Sequence, residues 1–250
     1  MQYGICHLSI VPVRISPDDT TEMVTQLLYG GLFKIKELRK FWVRIEIAFD
    51  GQEGWINKKQ FKLISEEDYI QLNSEEDTII STDFISHIIT KDNIFQPITL
   101  GARIDLVKFL NHLHEGSATK PTKEKSKLVE TALLFLNAPY LWGGKTPFGI
   151  DSSGLTQMTY KINGLKLFRS TEKQATQGEA LSFIEESEPG DLAFFDNREG
   201  IINHVGIILK DNYIIHSHGH VRIDRIDHTG IFNTSEKIYS HKLRVIKKIV

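Results

Sequence analysis

The sequence predicts an α+β protein in which a small β-barrel precedes a domain of helices followed by strands. Two observations support this fold class. The first 65 or so residues contain short β-rich runs separated by Gly and Asp turns. The segment after residue 126 starts with apolar residues at helical spacing and finishes with β-rich runs. Helices followed by antiparallel strands are typical of an α+β domain.

The composition excludes several classes of protein. The 250 residues are 40% hydrophobic and 25% charged, as in ordinary globular proteins, and the formal net charge of -2 gives no reason to expect nucleic acid or a membrane as partner. A single cysteine excludes an intramolecular disulfide and any multi-cysteine metal site. The N-terminus lacks a signal-peptide pattern and no apolar run is long enough to span a bilayer, so we expect a cytoplasmic protein, or an exported one whose leader was removed.

We predict three segments along the chain. Residues 1–65 form the small barrel, from the runs ICHLSIVPVRI, LFKIKELRKFWVRIEIAF and DGQEGWI. Residues 66–122 form a second, reduced β module or a linker, which begins with the acidic surface stretch SEEDYIQLNSEEDT. The polar segment 114–126, HEGSATKPTKEKS, is the best domain boundary, so residues 123–250 form the C-terminal domain.

The C-terminal domain is predicted to contain three helices and then strands. The first helix, in KLVETALLFLNAPY, stops at Pro139, and the second, in SSGLTQMTYKINGLKL, ends at the pair Asn163-Gly164. The third, in TEKQATQGEAL, is capped by Ser170 or Thr171. The predicted strands are DLAFF, NHVGIIL, NYIIHSH and HVRIDRI.

Ser152 follows the glycine-rich stretch YLWGGKTPFGID and begins the second predicted helix. A nucleophile at a helix N-terminus benefits from the positive end of the helix dipole, which lowers a thiol pKa or stabilises an oxyanion. On this stretch alone a structural role is favoured, because Asp151, Ser152 and Ser153 are all residue types that favour the N-cap.

His204 and His216 lie on two predicted strands joined by the tight turn KDN. If Leu209 pairs with Tyr213, His216 falls opposite Gly206, and the two histidines share one face of the sheet because the side-chain period is two. A base and the group that fixes its tautomer need this arrangement, and the small glycine leaves room for them.

A rival interpretation uses the motif HSHGH, in which His216, His218 and His220 alternate and would line one face as zinc ligands. No acidic or thiolate fourth ligand follows, so we favour polar strand residues for His218 and His220. Asp224 and Asp227, further along the same strand and its turn, are read as solvated carboxylates.

The C-terminal domain resembles the NlpC-type papain-like cell-wall peptidases. The resemblance rests on five blocks in the same order and spacing: PYLWGGKTPFGIDSSG, LFRSTEKQ, EPGDLAFF, NHVGIIL and YIIHSHGHVRID. The N-terminal segments ICHLSIVPVR, EMVTQLLYGG and WVRIEIAFDGQEGWI are similar to the bacterial SH3-like barrel that precedes this domain in peptidoglycan-peptide hydrolases. The resemblance implies a truncated papain-like α+β domain after an SH3-like β-barrel.

The resemblance also implies a reaction and its residues. It implies cleavage of the bond between γ-D-glutamate and a diamino acid, diaminopimelate or lysine, in murein tri- or tetrapeptides during recycling, with no metal or organic cofactor. Ser152 stands in the place of the nucleophilic cysteine, His204 matches the general base and His216 the third, orienting residue.

Five further positions carry substrate-binding roles in the same resemblance. The segment around the nucleophile would hold the free α-amine of an N-terminal L-Ala, an aromatic residue would wall the pocket, and a hydroxyl residue would lie near the peptide. A glutamate on the barrel would restrict the pocket to peptides with a free amine. These positions are Asp151, Ser153, Trp142, Thr171 and Glu22.

The chain departs from this family at Ser152, because an alcohol lacks the thiol that a helix dipole and a histidine convert to a thiolate. Cys6 lies in the other domain and is expected to pack as a small hydrophobic residue. We therefore favour an inactivated cysteine peptidase, engineered or natural. A non-catalytic murein-peptide-binding protein and a Ser-His-His hydrolase, or a metal hydrolase, are the alternatives.

Overall fold

A computed structural model of the protein describes residues 1–74 and 78–250. The chain divides into two compact units, Met1–Pro121 and Thr122–Val250, and the division falls within the polar segment 114–126. In the described part of the chain, no helix combines the length and the hydrophobicity that crossing a bilayer requires.

The first unit begins with a seven-stranded antiparallel sheet, as expected from its short β-rich runs. The strand order is β3-β2-β6-β5-β4-β1-β7. The strands are β1 (Gln2–Ile5), β2 (Ile10–Arg14), β3 (Met23–Leu28), β4 (Leu32–Leu38), β5 (Trp42–Ile47), β6 (Glu53–Asn57) and β7 (Lys62–Ile64), and a 3-10 turn at Lys58–Gln60 precedes β7.

The rest of the first unit is built from a short helix and small strands. The helix α1 (Glu66–Leu72) lies in the acidic stretch and is capped by Ser65, whereas residues 75–77 of that stretch lie outside the described residues. The remaining strands are β8 (Ile80–Ser81), β9 (Ile85–Ile89), β10 (Phe95–Thr99), β11 (Leu113–Glu115) and β12 (Ala118–Thr119).

Residues on both sides of position 65 contribute to one hydrophobic cluster in the first unit. Ile88 and Ile98 pack in the same cluster as Tyr3 and Tyr29. The three-segment division of the sequence stays a prediction, and residues 66–121 are grouped with residues 1–65 in one compact unit.

Cys6 is fully buried in a second cluster of the first unit, which confirms the expected packing role. Burial raises the pKa of its thiol to about 12, although a hydrogen bond from Sγ to the Leu8 carbonyl works in the opposite direction. A thiol with such a pKa is protonated at neutral pH and is therefore a poor nucleophile.

The second unit has short helices, so the expected α+β class is confirmed only in part. The first predicted helix is reduced to a 3-10 turn at Lys125–Lys127 and α2 (Leu128–Leu133), and it ends before Pro139. The others are α3 (Ser152–Ile162), which ends at Asn163 with Gly164 at φ 77°, and α4 (Thr171–Gln174), whose N-cap is Ser170.

The strands of the second unit dominate its architecture. A two-stranded ribbon precedes α3, and a 3-10 turn at Ile184–Glu186 lies between β15 and β16 of the main sheet, whose order is β15-β21-β16-β17-β18-β19-β20. The strands are β13 (Lys145–Thr146), β14 (Gly149–Ile150), β15 (Glu179–Leu181), β16 (Leu192–Asp196), β17 (Ile202–Ile208), β18 (Tyr213–His218), β19 (His220–Ile226), β20 (Gly230–Asn233) and β21 (Ile238–Lys248).

The main sheet closes on itself, because β20 also pairs with β21. Six strands, β16 to β21, therefore form a closed antiparallel barrel that the sequence analysis did not predict. One residue from most strands contributes to a single hydrophobic cluster, and the buried members are Ala193, Phe195, Ile208, Ile214, Ile226, Ile231 and Ile246. Closure leaves no open edge between β16 and β21, whereas β15 pairs with β21 alone and remains an edge strand.

Candidate active site

Ser152 is the first residue of α3 and is 6% exposed. The N-cap is Asp151, whose side chain accepts a hydrogen bond from the Gly154 N–H at 2.6 Å. Capping is therefore assigned to Asp151, and Ser152 occupies the helix end where the dipole is positive. The segment before it is fixed to β18, since Ser217 Oγ donates a 2.8 Å hydrogen bond to the Ile150 carbonyl.

Asp151 forms a buried ion pair with Arg169, a residue that the sequence analysis missed. Arg169 Nη2 lies 2.6 Å from Asp151 Oδ2, and Arg169 Nη1 lies 3.0 Å from Oδ1. The Gly143 N–H and the Ser153 hydroxyl also donate to this carboxylate. The resemblance places a substrate amine at Asp151, and that amine would have to share carboxylate oxygens that already accept several hydrogen bonds. The role of Asp151 in binding the amine stays a prediction.

Ser153 and Thr171 are both buried and lie on neighbouring helices. Ser153 Oγ accepts a 2.7 Å hydrogen bond from Arg169 Nη1. Thr171 begins α4, which Gln174 connects to α3 through a hydrogen bond from its Nε2 to the Ser153 carbonyl at 2.9 Å. These contacts fix where the two hydroxyl residues lie, and their contact with a peptide stays a prediction.

The predicted register of the strands that carry the two histidines is confirmed. Gly206 pairs with His216, and Leu209 N–H donates to the Tyr213 carbonyl at 2.8 Å. A Cβ atom at Gly206 would lie 2.7 Å from Ile214 Cδ1 and 3.0 Å from the Cβ of His216, so glycine leaves space on this face. His204 Nε2 is 2.9 Å from His216 Nδ1, and the two rings are perpendicular.

Asp224 completes this pair, which corrects the interpretation of that residue as a solvated carboxylate. Asp224 is 3% exposed, and its Oδ2 lies 2.9 Å from His216 Nε2. Arg222 forms an ion pair with the same carboxylate, with Nε 2.6 Å from Oδ2 and Nη2 donating to Oδ1 at 2.9 Å. The side chains of His204, His216 and Asp224 lie on the barrel face that carries the hydrophobic cluster.

The proton positions in the hydrogen-bonded series Asp224–His216–His204 follow from the charges at its Asp224 end. Burial acts to raise the pKa of Asp224, but hydrogen bonds from His216 and Arg222 outweigh it and lower the pKa. Asp224 is therefore an acceptor, and the proton of the 2.9 Å contact belongs to His216 Nε2. Burial lowers the pKa of His216, so its ring is neutral at neutral pH and its Nδ1 accepts.

The same argument fixes the tautomer of His204. Because His216 Nδ1 accepts, His204 Nε2 must carry a proton and donate it. Burial, with smaller contributions from neighbouring histidines, lowers the pKa of His204 well below its usual value. A neutral ring that is protonated at Nε2 keeps its lone pair on Nδ1, which is the form a general base requires.

His241 is a fourth member of the site that the sequence analysis missed. Its ring stacks on His204 with centroids 3.9 Å apart, and its Nδ1 lies 2.9 Å from Ser240 Oγ. Burial lowers the pKa of His241 to about 3. His241 lies on β21, and the long-range pairing of β21 with β16, the neighbour of the strand that carries His204, brings it to His204.

Trp142 and Glu22, unlike the other predicted substrate-binding residues, are exposed to solvent. Trp142 is 59% exposed. Packing in the core, which is the alternative to a role in substrate binding, therefore does not account for this side chain. Glu22 is exposed and lies in the first unit, before β3. The roles of both residues at a peptide pocket stay predictions.

The HSHGH motif does not place three ligands on one strand. Gly219, at φ 72°, turns the chain between β18 and β19, and exposed His218 pairs with exposed His220. In the described part of the chain, ring nitrogens of His204, His216 and His241 lie within 4.8 Å of one another. Both nitrogens of His216 already have hydrogen-bond partners, so a metal there would have to displace one of them.

Comparison with known proteins agrees with this geometry. Residues 137–240, which contain Ser152, His204 and His216, match the model of the NlpC/P60 family. The C-terminal unit is an NlpC/P60 domain. Residues 13–61 match the bacterial dipeptidyl-peptidase SH3 domain, so an SH3-like domain precedes the NlpC/P60 domain, as the resemblance implied.

Curated relatives cover most of the chain. The γ-D-glutamyl-L-lysine dipeptidyl-peptidase of Bacillus cereus is 26% identical over 228 residues, which span 80% of this chain and 68% of the relative. The protein of the same name from Bacillus subtilis is 24% identical over 253 residues, 90% of this chain and 80% of the relative. A crystal structure of an NlpC/P60 family protein from Bacillus cereus has a TM-score of 0.81, with 20% identity and 99% of both chains covered, and shares the fold.

We predict that the neutral His241 makes the protein less stable in acid. Below pH 6.5 the unfolded chain protonates this histidine, whereas the folded state does so only near pH 3. Unfolding therefore takes up a proton, and the free energy of unfolding falls with decreasing pH by up to ~1.4 kcal/mol per pH unit from this group. Urea unfolding between pH 7 and pH 4 measures how steeply the free energy of unfolding depends on pH. The His241→Gln substitution should make this dependence less steep.

The matched control is His228→Gln, because His228 is exposed in the turn before β20. This variant should keep the slope of the parent protein. An equal slope in the parent and in His241→Gln would contradict the prediction.

Proposed function

We propose that the protein is built to bind murein peptides with a free N-terminal L-Ala, and that its cysteine form hydrolyses their γ-D-glutamyl–diamino acid bond. The observation that carries this proposal is the buried chain Asp224–His216–His204, which leaves His204 Nδ1 unprotonated. The strand that bears His204 packs against α3, which begins at residue 152. A papain-like mechanism needs a base within reach of the nucleophile, and the proposal assigns these roles to His204 and to a thiol at position 152.

The first step is the activation of a thiol at position 152. His204 Nδ1 takes the proton of the thiol, and the sulfur attacks the γ-carbonyl carbon of D-glutamate. The resulting imidazolium donates from Nε2 to His216, whose own proton is held by the Asp224 carboxylate. Backbone N–H groups at the start of α3 lie at the positive end of the helix, where they would stabilise the oxyanion.

The second half of the reaction releases the two products. The proton on His204 Nδ1 passes to the leaving amine of the diamino acid as the carbon–nitrogen bond breaks. A water molecule then loses a proton to Nδ1 and attacks the thioester, which frees L-Ala-γ-D-Glu and restores the thiol. No step requires a metal or an organic cofactor.

Serine at position 152 makes the chain as written inactive in this proposal. An alcohol holds its proton far more strongly than a thiol, so a histidine whose pKa is lowered by burial is a weak base toward it. The peptide-binding surface does not depend on the sulfur. Asp151 and Ser153 hold the helix end, and exposed Trp142 offers an aromatic wall for the peptide.

Two kinds of comparison support the substrate class. The Bacillus relatives are named for the γ-D-glutamyl-L-lysine bond, and the SH3 match carries the name of a dipeptidyl-peptidase domain. We propose that Glu22, on this SH3-like domain, and Thr171 contribute to selection of short peptides with a free amine.

A binding protein is the second candidate, because Ser152 retains the helix end but lacks the thiol. Such a protein would bind murein peptides and gain no turnover when cysteine is restored. A Ser-His-His hydrolase would instead turn over as written, and a phosphonate would label Ser152.

We predict that Ser152→Cys gains peptidase activity. The thiol supplies a nucleophile that the existing base can deprotonate, so the rate should rise roughly 10³-fold or more above the chain as written, within the range that loss of a nucleophile costs. The measurement is the release of L-Ala-γ-D-Glu from L-Ala-γ-D-Glu-diaminopimelate, followed by chromatography.

Ser153→Cys is the matched control, since it places a thiol one residue further along α3, and it should remain inactive. A folded Ser152→Cys protein that binds the tripeptide but releases nothing would favour the binding protein. One that neither binds nor cleaves it would remove the substrate assignment.

We predict that Asp224→Asn, made in the Ser152→Cys protein, lowers kcat. The asparagine amide can donate to His216 Nε2, which moves the His216 proton to Nδ1 and leaves His204 protonated on the wrong nitrogen. The expected loss in kcat is roughly 10²- to 10⁴-fold with little change in KM. A pH–rate profile adds a second readout, since loss of the carboxylate should move the acidic limb.

Asp211→Asn is the control for this substitution, because Asp211 lies in the exposed turn between β17 and β18 at φ 57°, a conformation that Asn also tolerates. A folded Asp224→Asn variant with kcat within threefold of its parent would show that the carboxylate does not position the base.

A further inference from the structure

The plane of the His204 ring must be fixed for this ring to act as a base. The proton on Nε2 and the lone pair on Nδ1 both lie in that plane, so a ring that turns moves both groups out of line. The torsion angle that turns a histidine ring has a broad energy minimum, so the side chain does not fix the plane by itself. The hydrogen bond from Nε2 to His216 holds one edge of the ring, and contacts with its faces must do the rest.

Among the described residues, three rings contact His204, and His241 alone lies flat against it. The centroids of His241 and His204 are 3.9 Å apart, with 21° between the two planes. The Phe195 ring is tilted by 49° at 5.8 Å, and the His216 ring is perpendicular at 5.1 Å. The flat contact with His241 is therefore the one that most directly opposes rotation of the His204 ring out of its plane.

Strand pairing places His241 on the same face of the sheet as His204. His241 lies opposite Ile231, and His204 lies opposite Phe195. Ile231 and Phe195 both belong to the hydrophobic cluster of the barrel, and residues directly opposite each other share a face. Because β17 and β21 flank β16, the two histidines reach each other across that strand.

A hydrogen bond to Ser240 anchors the His241 ring. His241 is half-buried and borders a cavity of about 870 Å³, so close packing does not surround it. Ser240 Oγ lies 2.9 Å from His241 Nδ1 and donates to the Ile231 carbonyl at 3.4 Å. Since the hydroxyl has one proton and uses it on that carbonyl, His241 Nδ1 carries a proton and donates it to Ser240.

The His241 ring is also neutral, because burial lowers its pKa to about 3. A positively charged ring 3.9 Å from His204 would oppose the imidazolium that forms when His204 accepts a proton. The neutral ring supplies a flat surface without this repulsion.

We propose that His241 is a positioning residue for the general base, with Ser240 as its anchor. The His241 ring lies flat on His204 and holds that ring in the plane in which Nε2 donates to His216. The inference rests on the proposed function, and it adds two residues that act on the reaction through His204.

The test compares His241→Leu with His241→Phe, both made in the Ser152→Cys protein. Leucine fills much of the same space but offers no flat face, so kcat should fall roughly 10- to 100-fold, as expected when a catalytic group is misplaced. KM should stay within about twofold, because the base acts in the chemical step. Phenylalanine keeps a flat ring and should keep kcat within about threefold of the parent. The control is His228→Leu, which replaces an exposed histidine and should leave kcat unchanged.

Hydrogen exchange measured by NMR on the chain as written tests the same claim without the reaction. The Nε2 proton of His204 should exchange with water about tenfold faster or more in His241→Leu than in the parent or in His241→Phe, because a ring that turns breaks its bond to His216. Ser240→Ala leaves every ring in place and removes only the anchor. This variant should raise the exchange rate about threefold or more, and it tests the proposal even if His241→Leu does not fold.

Two results would overturn the proposal. One is a folded His241→Leu or Ser240→Ala protein in which the His204 proton exchanges as slowly as in the parent. The other is an equal loss of kcat in the leucine and phenylalanine variants, since the flat contact would then not be what the base needs. If Ser152→Cys cleaves no peptide, the proposed function fails, whereas the exchange rates still decide whether His241 holds the His204 ring.

Discussion

The buried hydrogen bond between Asp224 and His216 is the interaction on which the site depends. An ionised carboxylate inside the barrel is costly unless it is paired, and the Arg222 guanidinium and His216 Nε2 pair it. Once Asp224 is held as an acceptor, the proton positions on His216 and His204 follow without further assumptions. The reactivity of His204 is therefore decided by Asp224, which lies two residues away along the hydrogen-bonded series.

A second buried ion pair plays the corresponding role for the nucleophile. Asp151 caps α3 and is held by Arg169, so the helix end at residue 152 is fixed from both sides. These two charge networks explain how one fold suits a thiol: one exposes a lone pair on His204, and the other provides the positive end of a helix. Serine at position 152 leaves both networks in place and removes only the group they activate.

The sequence was sufficient to predict the elements that local patterns specify. The register of β17 and β18 followed from a tight turn and a period of two, and the family followed from blocks such as PYLWGGKTPFGIDSSG. The barrel was missed because its closure depends on pairing between β16 and β21, the first and last of its strands, which no local pattern encodes. His241 was missed with it. Asp224 was within reach, because the turn at Gly219 sets β19 against β18, but a carboxylate on a strand was read as solvated.

The central claim is that Asp224 fixes the tautomers of both histidines, and NMR of ¹⁵N-labelled imidazoles measures this directly. The account predicts that at pH 7 His204 and His216 are neutral and protonated at Nε2, with unprotonated Nδ1 atoms. It predicts that Asp224→Asn moves the proton of His204 to Nδ1. A His204 ring that carries its proton on Nδ1 in the parent protein, or that is charged at pH 7, would contradict the account.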